Sequence, residues 1–441
     1  MGRLKKKIFE ILNIKLDPAF GMDISDKSIE ILEFSKFLSF KVTAYGRAEL
    51  DRGIVEDGKI VDIEILAEKI RVLLANMKPK RVSTNRVVLS LPESKVFIHN
   101  FNLPLEMKDG ELRQTILSKA SELIPREINE IYWDFQSYSS LEKAEQSVVF
   151  VGIEKDVAED YIRLCNIIGL EIVSLEVESM SLGRVLLGRT EENTLVVDIG
   201  AKSTNILVFN NKDVINLSVT DHIAGDSFTE IISKVLSIDF QEAEREKIAE
   251  GLREESSNRV APILRKKFDE IISEMIEIIT YYEGKTGQKI EKIILVGGSS
   301  LLPGINEYFS SKINIPIENR DLLSHISREN LLEQGKNSVL FANVMGLAMI
   351  GASNEFHSIN LLKQIPKQFF VASSKIDLVK DGYLRKTTKF ALLMNSYIVL
   401  VLLLIIIVIT IFVFAYYFNQ YFNPYFNKYI NFISNLFLKN V

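Results

Sequence analysis

Two segments with matching polar residues lie far apart in the chain, and each has the residue types of a phosphate-binding turn. FGMDISDKSIEILEF begins at Phe20 and TLVVDIGAKSTNILVF at Thr194; aligned on Asp23 and Asp198, seven of twelve positions are identical. Each copy is typical of a buried strand that ends in Asp, a tight polar turn and a second strand. A strand-end aspartate can hold hydrated Mg²⁺, and such a turn directs N–H groups and hydroxyls at phosphate oxygens. We therefore expect two hairpins that clamp one triphosphate, although chance similarity between two hairpins is the alternative.

Two further segments have residues that suit the rest of a nucleotide. KIILVGGSSLLPGI, from Lys292 to Ile305, indicates a buried strand, a Gly-Gly turn and the start of a helix. Gly297 and Gly298 would let the backbone pass close to a flat ligand such as adenine, because no Cβ intervenes. In DFQEAEREKIAEGL a helix would place Glu244 and Lys247 on one face, within reach of a ribose hydroxyl. The ordinary alternatives are a plain turn and a solvated charged helix.

In this order the four segments resemble the actin-like ATPase superfamily, whose fold has two similar α/β halves around a nucleotide cleft. The resemblance covers about Phe20 to Gly351 and includes a closing helix at Ala342–Gly346. It implies ATP and Mg²⁺ as cofactors, with Asp23 and Asp198 holding the metal through water. The nucleotide-binding residues that it implies are Asp23, Ser28, Asp198, Gly200, Ser203, Thr204, Glu244, Lys247, Gly297, Gly298 and Ser299. No residue is identified as catalytic, so we expect ATP binding with weak or absent hydrolysis.

Within that superfamily the chain resembles PilM, the cytoplasmic actin-like protein of type IV pilus assembly. VVDIGAKSTNILVF and ILVGGSSLLPGI are similar to that family's phosphate 2 and adenosine segments, and LPESKVFIHNFNLP with IPREINEIYWDF is similar to its inserted subdomain. The peptide Ile359-Asn360-Leu361-Leu362 resembles the one by which the membrane partner PilN docks in a groove of PilM. These four residues are the predicted partner-binding residues. We expect them to occupy the groove of their own chain or of a neighbour, with PilN/PilO-like platform subunits as partners.

The first hairpin departs from that family's usual pattern. Ser25 stands where glycine is usual and would restrict a backbone that needs a positive φ. Asp26 would place a negative charge beside a phosphate unless Mg²⁺ or Lys27 offsets it. Both changes predict weakened nucleotide affinity. Two other charged residues of the hairpins, Glu30 and Lys202, are interpreted as surface charges.

Composition and charge limit the class of protein. The chain has 441 residues, 47% of them apolar, which suits two or three domains with a large core. The single cysteine, Cys165, cannot form an internal disulfide and favours a reducing compartment. The four histidines lack metal-ligand spacing, which argues against a zinc site. The net charge is −5 overall, +5 over residues 359–390 and +2 beyond, which leaves −12 on the first 358 residues and argues against nucleic-acid binding.

The C-terminal part predicts a single membrane span. No charged residue interrupts the run from Tyr397 to Phe418, which as a helix measures roughly 33 Å against a hydrocarbon core of about 30 Å. Seven Lys/Arg precede the span and two follow it, so the positive-inside rule places the N-terminal body in the cytoplasm and the anchor in the inner membrane. The N-terminus, MGRLKKKIFEILNIKL, is a basic amphipathic stretch that touches the inner leaflet or is simply a solvated helix.

These observations predict an α/β protein with an actin-like (FtsA/PilM-type) two-lobed fold, duplicated halves and one C-terminal transmembrane α-helix. The predicted segments are a basic N-terminal stretch 1–19, a first lobe 20–193 with an inserted subdomain at about 90–175, a second lobe 194–351, a peptide and basic linker 352–390, the membrane helix 391–418 and an aromatic extracytoplasmic tail 419–441. The predicted function is a membrane-anchored ATP-binding scaffold of the pilus assembly platform. The alternatives are a GspL-like membrane subunit of a type II secretion system, a sugar-kinase-like enzyme and a cell-division actin.

Overall fold

The computed structural model describes most of the N-terminal body. The described residues are 18–35, 40–139, 145–187, 192–210, 214–255, 257–318, 338–352 and 359–370, together with Lys428. The chain forms two compact units, Met1–Arg385 and Lys386–Val441, and every described residue except the exposed Lys428 lies in the first. The sheets, and the helices that pack on them, therefore all belong to the first unit.

The first half of the body is built on a six-stranded sheet. Its strands are β1 (Phe20–Ile24), β2 (Ser28–Phe34), β3 (Val42–Glu49), β6 (Lys78–Pro79), β7 (Arg86–Leu91) and β11 (Glu171–Val177), in the order β11-β7-β1-β2-β3-β6. A two-stranded ribbon, β4 (Val55–Glu56) and β5 (Lys59–Ile60), follows β3. Helices α1 (Ile63–Ala75) and α3 (Lys155–Ile168) bury their apolar faces in the same core as the sheet.

The second half has a five-stranded sheet. Its strands are β12 (Thr194–Ile199), β13 (Thr204–Asn210), β14 (Val214–Asp221), β15 (Lys292–Val296) and β16 (Ile317–Glu318), in the order β14-β13-β12-β15-β16. Its helices are α5 (Gly225–Leu236), α6 (Phe240–Glu250), α7 (Ala261–Thr286) and α8 (Ile305–Lys312). Phe228, Phe268 and Phe309 bring α5, α7 and α8 together in one core.

The two sheets repeat one plan. In each, an antiparallel three-stranded meander (β1-β2-β3 or β12-β13-β14) is extended by two parallel strands, β7 and β11 or β15 and β16. The first strand of each meander is central in its sheet, and its continuous apolar run suits burial on both faces. The predicted duplication of an α/β half is therefore confirmed, and it places the two matched hairpins at equivalent positions.

A separate three-stranded sheet is inserted in the first half. It consists of β8 (Val96–Pro104), β9 (Ile131–Ser139) and β10 (Glu145–Glu154) in the order β8-β10-β9, and α2 (Asp109–Leu123) packs on it through Leu112, Ile116 and Ala120. The range of the predicted insert, about 90–175, contains this sheet and also α3, which packs with the six-stranded sheet, and β11, which pairs with β7 in it.

Two helices lie between the halves. They are α4 (Glu178–Leu186) and α9 (Ala342–Ala352), whose apolar residues share one cluster with strands of both sheets. Gly346 permits their close approach, since a Cβ there would lie 2.1 Å from the Ser181 carbonyl oxygen. A Cβ at Gly21 would likewise lie 2.6 Å from the Val344 carbonyl oxygen, so α9 also rests directly on β1. The predicted closing helix is thus present and reaches both the first hairpin and α4.

No helix among the described residues is both long enough and apolar enough to cross a membrane. The predicted membrane helix 391–418 and most of the predicted tail lie outside those residues, as do residues 1–17 of the basic N-terminal stretch.

Candidate functional site

The two hairpin aspartates occupy equivalent places in the two sheets. Asp23 on β1 is opposite Glu30 on β2, and Asp198 on β12 is opposite Asn205 on β13. Both aspartates are partly exposed although their strands are otherwise buried. The sequence pattern therefore located the strand ends to within one residue, since each strand continues for one isoleucine past its aspartate.

The charge of Asp23, from the first half, acts on Asp198, from the second, and we call the region between these two strand ends the cleft. Burial, together with the charges of Asp23 and Glu93, raises the pKa of Asp198 to about 7. Burial also raises the pKa of Asp23, against the hydrogen bond that Ser90 Oγ donates to its Oδ1 at 2.5 Å. The pKa of Glu178, the first residue of α4, is raised well above its ordinary value by burial and then by Asp23, Glu93 and Asp198. A cation in this cleft would stabilise the ionised carboxylates.

Two matched lysines, one from each hairpin turn, converge on a single carboxylate. Lys27 Nζ lies 2.5 Å from Asp226 Oδ1, and Lys202 Nζ lies 3.1 Å from Asp226 Oδ2. Burial alone would raise the pKa of Asp226, but the two lysines outweigh it and lower that pKa. Lys27 and Lys202 are one of the identical pairs of the sequence repeat, and neither was predicted to bind a ligand. Lys202 is thus ion-paired with Asp226, while 40% of its side chain stays exposed as expected of a surface charge.

An arginine from the loop after β3 also crosses the cleft. The Arg52 guanidinium lies 3.6 Å from Asp226 Oδ2 and stacks over the Phe240 ring, with its Cζ 3.7 Å from the ring centroid. Asp226 is the second residue of α5, after Gly225, and its backbone N–H donates to the carbonyl of Ala201 at 2.8 Å. Three cations therefore meet one anion at the junction of both hairpins and the N-terminal end of α5. That set of cations is also suited to a polyphosphate.

The substituted turn of the first hairpin is closed by its own side chains. Ser25 Oγ accepts from the backbone N–H of Ser28 at 3.1 Å and of Lys27 at 3.4 Å. The expected need for a positive φ at Ser25 is wrong, because the described non-glycine residues with positive φ are Asp57 and Ser237. A serine hydroxyl thus takes the amides that a phosphate oxygen would otherwise accept from. This is a physical reason for weaker phosphate binding at the first hairpin than at the second.

Asp26 is hydrogen-bonded to a neighbouring turn of the first half. Its Oδ1 accepts a hydrogen bond from the backbone N–H of Gly58 at 3.4 Å, in the turn between β4 and β5. Glu30, interpreted from sequence as a surface charge, is instead buried and bonded to the Arg47 guanidinium at 2.8 Å. Burial and the charge of Asp23 raise the pKa of Glu30 to about 8, so this prediction is wrong.

The other predicted residues of the two hairpins differ in how exposed they are. Thr204 is fully buried and its Oγ1 donates to the carbonyl of Ile223 at 2.6 Å, so this hydroxyl stabilises the fold. Ser28 is also buried, with its Oγ 3.2 Å from that of Ser25. Ser203 and Gly200 lie in the second turn and are half-buried. The second turn is therefore the better exposed of the two.

Glu244 and Lys247 share a face of α6, as expected, but they differ in how deeply they are buried. Lys247 is buried, and its Nζ donates to Gly225 O, Thr229 Oγ1 and Glu244 Oε2 at 2.7–2.8 Å. An ammonium group has three hydrogens, so all of them are used within the chain. Glu244 is more exposed, and its Oε1 lies 3.9 Å from Lys27 Nζ. Lys247 thus positions Glu244, which faces the cleft.

The Gly-Gly turn lies directly beside the second hairpin. Gly297 has φ +83°, and a Cβ there would lie 2.4 Å from Asp198 Oδ1. Within the described part of the chain, only Leu340 comes within 4 Å of a Cβ built on Gly298, at 3.9 Å, and Gly298 itself is exposed. Ser299 Oγ would lie 3.0 Å from a Cβ at Gly225. The predicted adenosine segment and the predicted phosphate 2 segment therefore meet in one place.

The chemistry of this cleft suits a polyphosphate with a hydrated cation. No three His, Cys, Asp or Glu side chains within the described part of the chain converge to hold a metal ion. Asp23 and Asp198, which destabilise each other's ionised forms, could still share a cation through its water ligands. Sequence reasoning missed Asp226, Arg52, Glu93 and Glu178. The repeat flagged both lysines, whereas nothing in the local pattern marks these four, which come from loops and helix starts outside the repeat.

The peptide Ile359–Leu362 is the second site, and it lies on its own chain. Ile359 and Leu361 are buried at 1% and 0% exposure in the core of the first half. Leu361–Gln364 forms a short 3₁₀ turn that contacts β9 and β11. Each of these strands is the outer strand of its sheet. The groove is thus the gap between two sheet edges.

Asn360 supplies the hydrogen bonds that such edges need. Its Oδ1 accepts from the backbone N–H of Leu175 at 3.0 Å, and its Nδ2 donates to the carbonyl of Val173 at 3.5 Å. Val173 is the extra residue of a β-bulge in β11, where the pairing with β7 shifts register. On the other side, the Asn360 N–H donates to Asp134 Oδ2 of β9 at 2.8 Å. A single carboxamide thus satisfies both a donor and an acceptor of an unpaired strand edge.

Comparison with known proteins places the fold. A family model described as type IV pilus assembly protein PilM matches residues 21–352. A search of curated proteins finds no match. Among solved structures, a PilM-PilN type IV pilus biogenesis complex is 20% identical with a TM-score of 0.67, and the match covers 76% of this chain and 98% of that chain. This likeness shows the fold, and the predicted actin-like α/β fold is confirmed.

Two further solved structures are similar to the chain at lower TM-scores. MreB5 of Spiroplasma citri bound to AMPPNP is 14% identical with a TM-score of 0.44, covering 76% of this chain and 96% of that chain. The cytoplasmic domain of EpsL, an inner membrane component of the type II secretion system of Vibrio cholerae, is 12% identical with a TM-score of 0.39, covering 78% and 97%.

Proposed function

The chain belongs to the PilM family of type IV pilus assembly proteins, and from this premise we propose that it is a membrane-anchored, ATP-binding scaffold of the pilus assembly platform. Nucleotide and the Ile-Asn-Leu-Leu peptide would together organise its partner subunits. The observation that carries the nucleotide part is the meeting of Lys27 and Lys202, one from each matched hairpin, on the single carboxylate of Asp226. An anion bound by both hairpins is the arrangement that a clamped triphosphate requires.

The proposed ligand is ATP with Mg²⁺. Its phosphates would replace Asp226 as the partner of the two lysines, and Asp23 and Asp198 would hold the metal through water. Mg²⁺ supplies the positive charge that offsets the crowded carboxylates and the phosphates. The exposed turn at Gly298 would receive the adenine. Burial and the nearby carboxylates raise the pKa of Glu178 and so disfavour its ionised form as a proton acceptor, which supports binding rather than rapid hydrolysis.

In this proposal ATP acts as a conformational ligand. Lys27, Arg52 and Asp23 belong to the first half, whereas Lys202 and Asp226 belong to the second. A ligand that engages both sets binds best to one arrangement of the halves and therefore selects it. Platform subunits of the PilN/PilO kind at the inner membrane would bind the body in the selected arrangement.

Membrane attachment is proposed from the sequence alone. Residues 391–418 form the proposed single span, and the basic linker before it keeps the body in the cytoplasm. Alkaline carbonate extraction of cells provides a test, since the full chain should stay in the membrane pellet. A chain truncated after Phe390 should move to the supernatant, and retention of the truncated chain would contradict the anchor.

Nucleotide titration tests the cleft. Full-length protein in detergent is titrated with a fluorescent ATP analogue, with and without Mg²⁺, and compared with Asp198→Ala and with Glu106→Ala, an exposed carboxylate as the control. We expect saturable, Mg²⁺-dependent binding in the wild type and the control, and a loss of at least tenfold in Asp198→Ala. Binding that is unchanged in Asp198→Ala, or absent in the wild type, would reduce the proposal to a structural adaptor.

A further inference from the structure

The segment that fills the groove is three times longer than the tetrapeptide. After Leu362 the chain continues along the first half: Lys363 Nζ lies 2.6 Å from Asp134 Oδ2, and Ile365 is buried. Further on, Asn166 Nδ2 of α3 donates to the carbonyl of Phe369 at 2.6 Å. Phe369 and Phe370 both pack on the core of the first half. The docked segment is therefore residues 359–370, and we name it the clasp.

The connection to the clasp is short. Six residues separate Ala352, where α9 ends, from Ile359, and a chain of that length spans roughly 24 Å at most. A segment on such a short tether is present at its groove at an effective concentration on the order of millimolar. We propose that the clasp permanently occupies the groove of its own chain, so that this groove does not receive the tails of other subunits.

The hydrogen bonds explain why a second peptide is excluded. The edge of β11 offers one bulge, and Asn360 already uses both its N–H donor at Leu175 and its acceptor at Val173. Asp134 likewise accepts from both Asn360 and Lys363 through one oxygen. A tail with the same Ile-Asn-Leu-Leu sequence would need the same backbone and carboxylate partners. It therefore cannot bind in the groove while the clasp is there.

This inference rests on the peptide part of the proposed function. It states that the peptide binds within its own chain. The partner subunits of the platform would then be bound elsewhere on the body.

A peptide competition measures whether the groove is closed. The probe is a fluorescent synthetic peptide with the sequence of residues 357–372, added to full-length protein in detergent. We expect the variant Leu361→Asp, which expels a fully buried leucine from the groove, to bind the probe at least about 100-fold more tightly than the wild type does. Gln368→Asp adds the same charge at an exposed position of the clasp and should bind as weakly as the wild type. Equal, tight binding by wild type and Leu361→Asp would overturn the proposal.

A cysteine pair tests the same question by a covalent crosslink. The variant Asp134→Cys/Lys363→Cys is treated with a short bis-maleimide; the one native thiol, Cys165, is buried with its pKa raised to about 12 and stays unreactive. We expect a crosslink within one chain. A mixture of differently tagged Asp134→Cys and Lys363→Cys single variants should give no crosslinked dimer. A dimer from that mixture, or no crosslink in the double variant, would overturn the proposal.

Neither readout uses nucleotide. A chain that fails to bind ATP but forms the intramolecular crosslink would lose the proposed cleft function and keep the clasp. The reverse result would lose the clasp and keep the cleft.

Discussion

Replacing Asp198 with asparagine should stabilise the protein at alkaline pH, although the change removes a proposed Mg²⁺ residue. Burial, with Asp23 and Glu93, raises the pKa of Asp198 from 3.8 to about 7 in the folded state. The folded state therefore binds this proton more tightly than the unfolded state does. The stability that the protonated group contributes is fully present below about pH 4 and is lost as the pH rises to about 7. At about 1.4 kcal/mol per unit, the ionised carboxylate costs roughly 4 kcal/mol at pH 8.

Asparagine keeps the shape of the neutral carboxyl group and carries no charge at any pH. The variant Asp198→Asn should therefore gain roughly 4 kcal/mol at pH 8 but only about 1.5 kcal/mol at pH 5, where the wild-type group is still protonated in the folded state. For a body of about 350 residues, 4 kcal/mol corresponds to a rise in Tm of roughly 5 °C.

The assay is thermal unfolding of full-length protein followed by circular dichroism at pH 5 and pH 8, without nucleotide or Mg²⁺. Glu106→Gln, which neutralises an exposed carboxylate, serves as the control and should shift Tm by less than about 1 °C at both pH values. A gain of equal size at pH 5 and pH 8 would show that the effect is not one of ionisation. A lower Tm at pH 8 would refute the reasoning, because it would mean that the buried charge is stabilised in the folded state.

Three further predictions concern the same cleft and the helices that frame it. Asp226→Asn removes the carboxylate that pairs with both lysines. The affinity for tripolyphosphate, measured by calorimetry, should therefore rise about tenfold, as expected when one nearby negative charge is removed. An unchanged or weaker affinity would contradict this. Mg²⁺-dependent ATP binding should strengthen between pH 6 and pH 8, because Asp198 must lose its proton, and a flat pH profile would count against its role. Gly346→Ala should lower stability by more than about 3 kcal/mol in thermal unfolding, since its Cβ would lie 2.1 Å from the Ser181 carbonyl oxygen. Gly284→Ala in α7 is its control, because no atom of the described residues lies within 4 Å of the added Cβ, and it should be neutral or slightly stabilising.

The duplicated fold was predictable because local sequence patterns, and their order along the chain, indicate it. Seven identities in twelve positions, anchored on Asp23 and Asp198, matched two strands at the same place in two sheets. The closing helix and the strand before Gly297 were equally visible as apolar runs of the right length. These features depend on residues close together in sequence.

The parts that sequence could not give depend on long-range contacts. Asp226 pairs with Lys27 and Arg52 across the cleft, and no local sequence pattern predicts contacts between these three residues. Glu30 has the pattern of a surface charge because it alternates with apolar residues, yet it is buried and paired with the exposed Arg47 on the neighbouring strand. Tertiary pairing decides the burial of charged residues, and periodicity alone does not contain it.

The peptide shows both outcomes at once. Ile359–Leu362 could be recognised from four letters and their place before the basic linker. Docking on the same chain, and continuation of the contact to Phe370, required the structure, because they depend on Asp134 and Asn166, which lie about 200 residues earlier in the sequence.

Amide hydrogen exchange with and without Mg²⁺-ATP tests the claim that one polyphosphate is held between both hairpins most directly. We predict slower exchange in residues 20–34 and 194–210 together, and loss of protection in both segments when either Asp23 or Asp198 is replaced by alanine. Protection of one segment alone, or of neither, would contradict a ligand shared between the two halves.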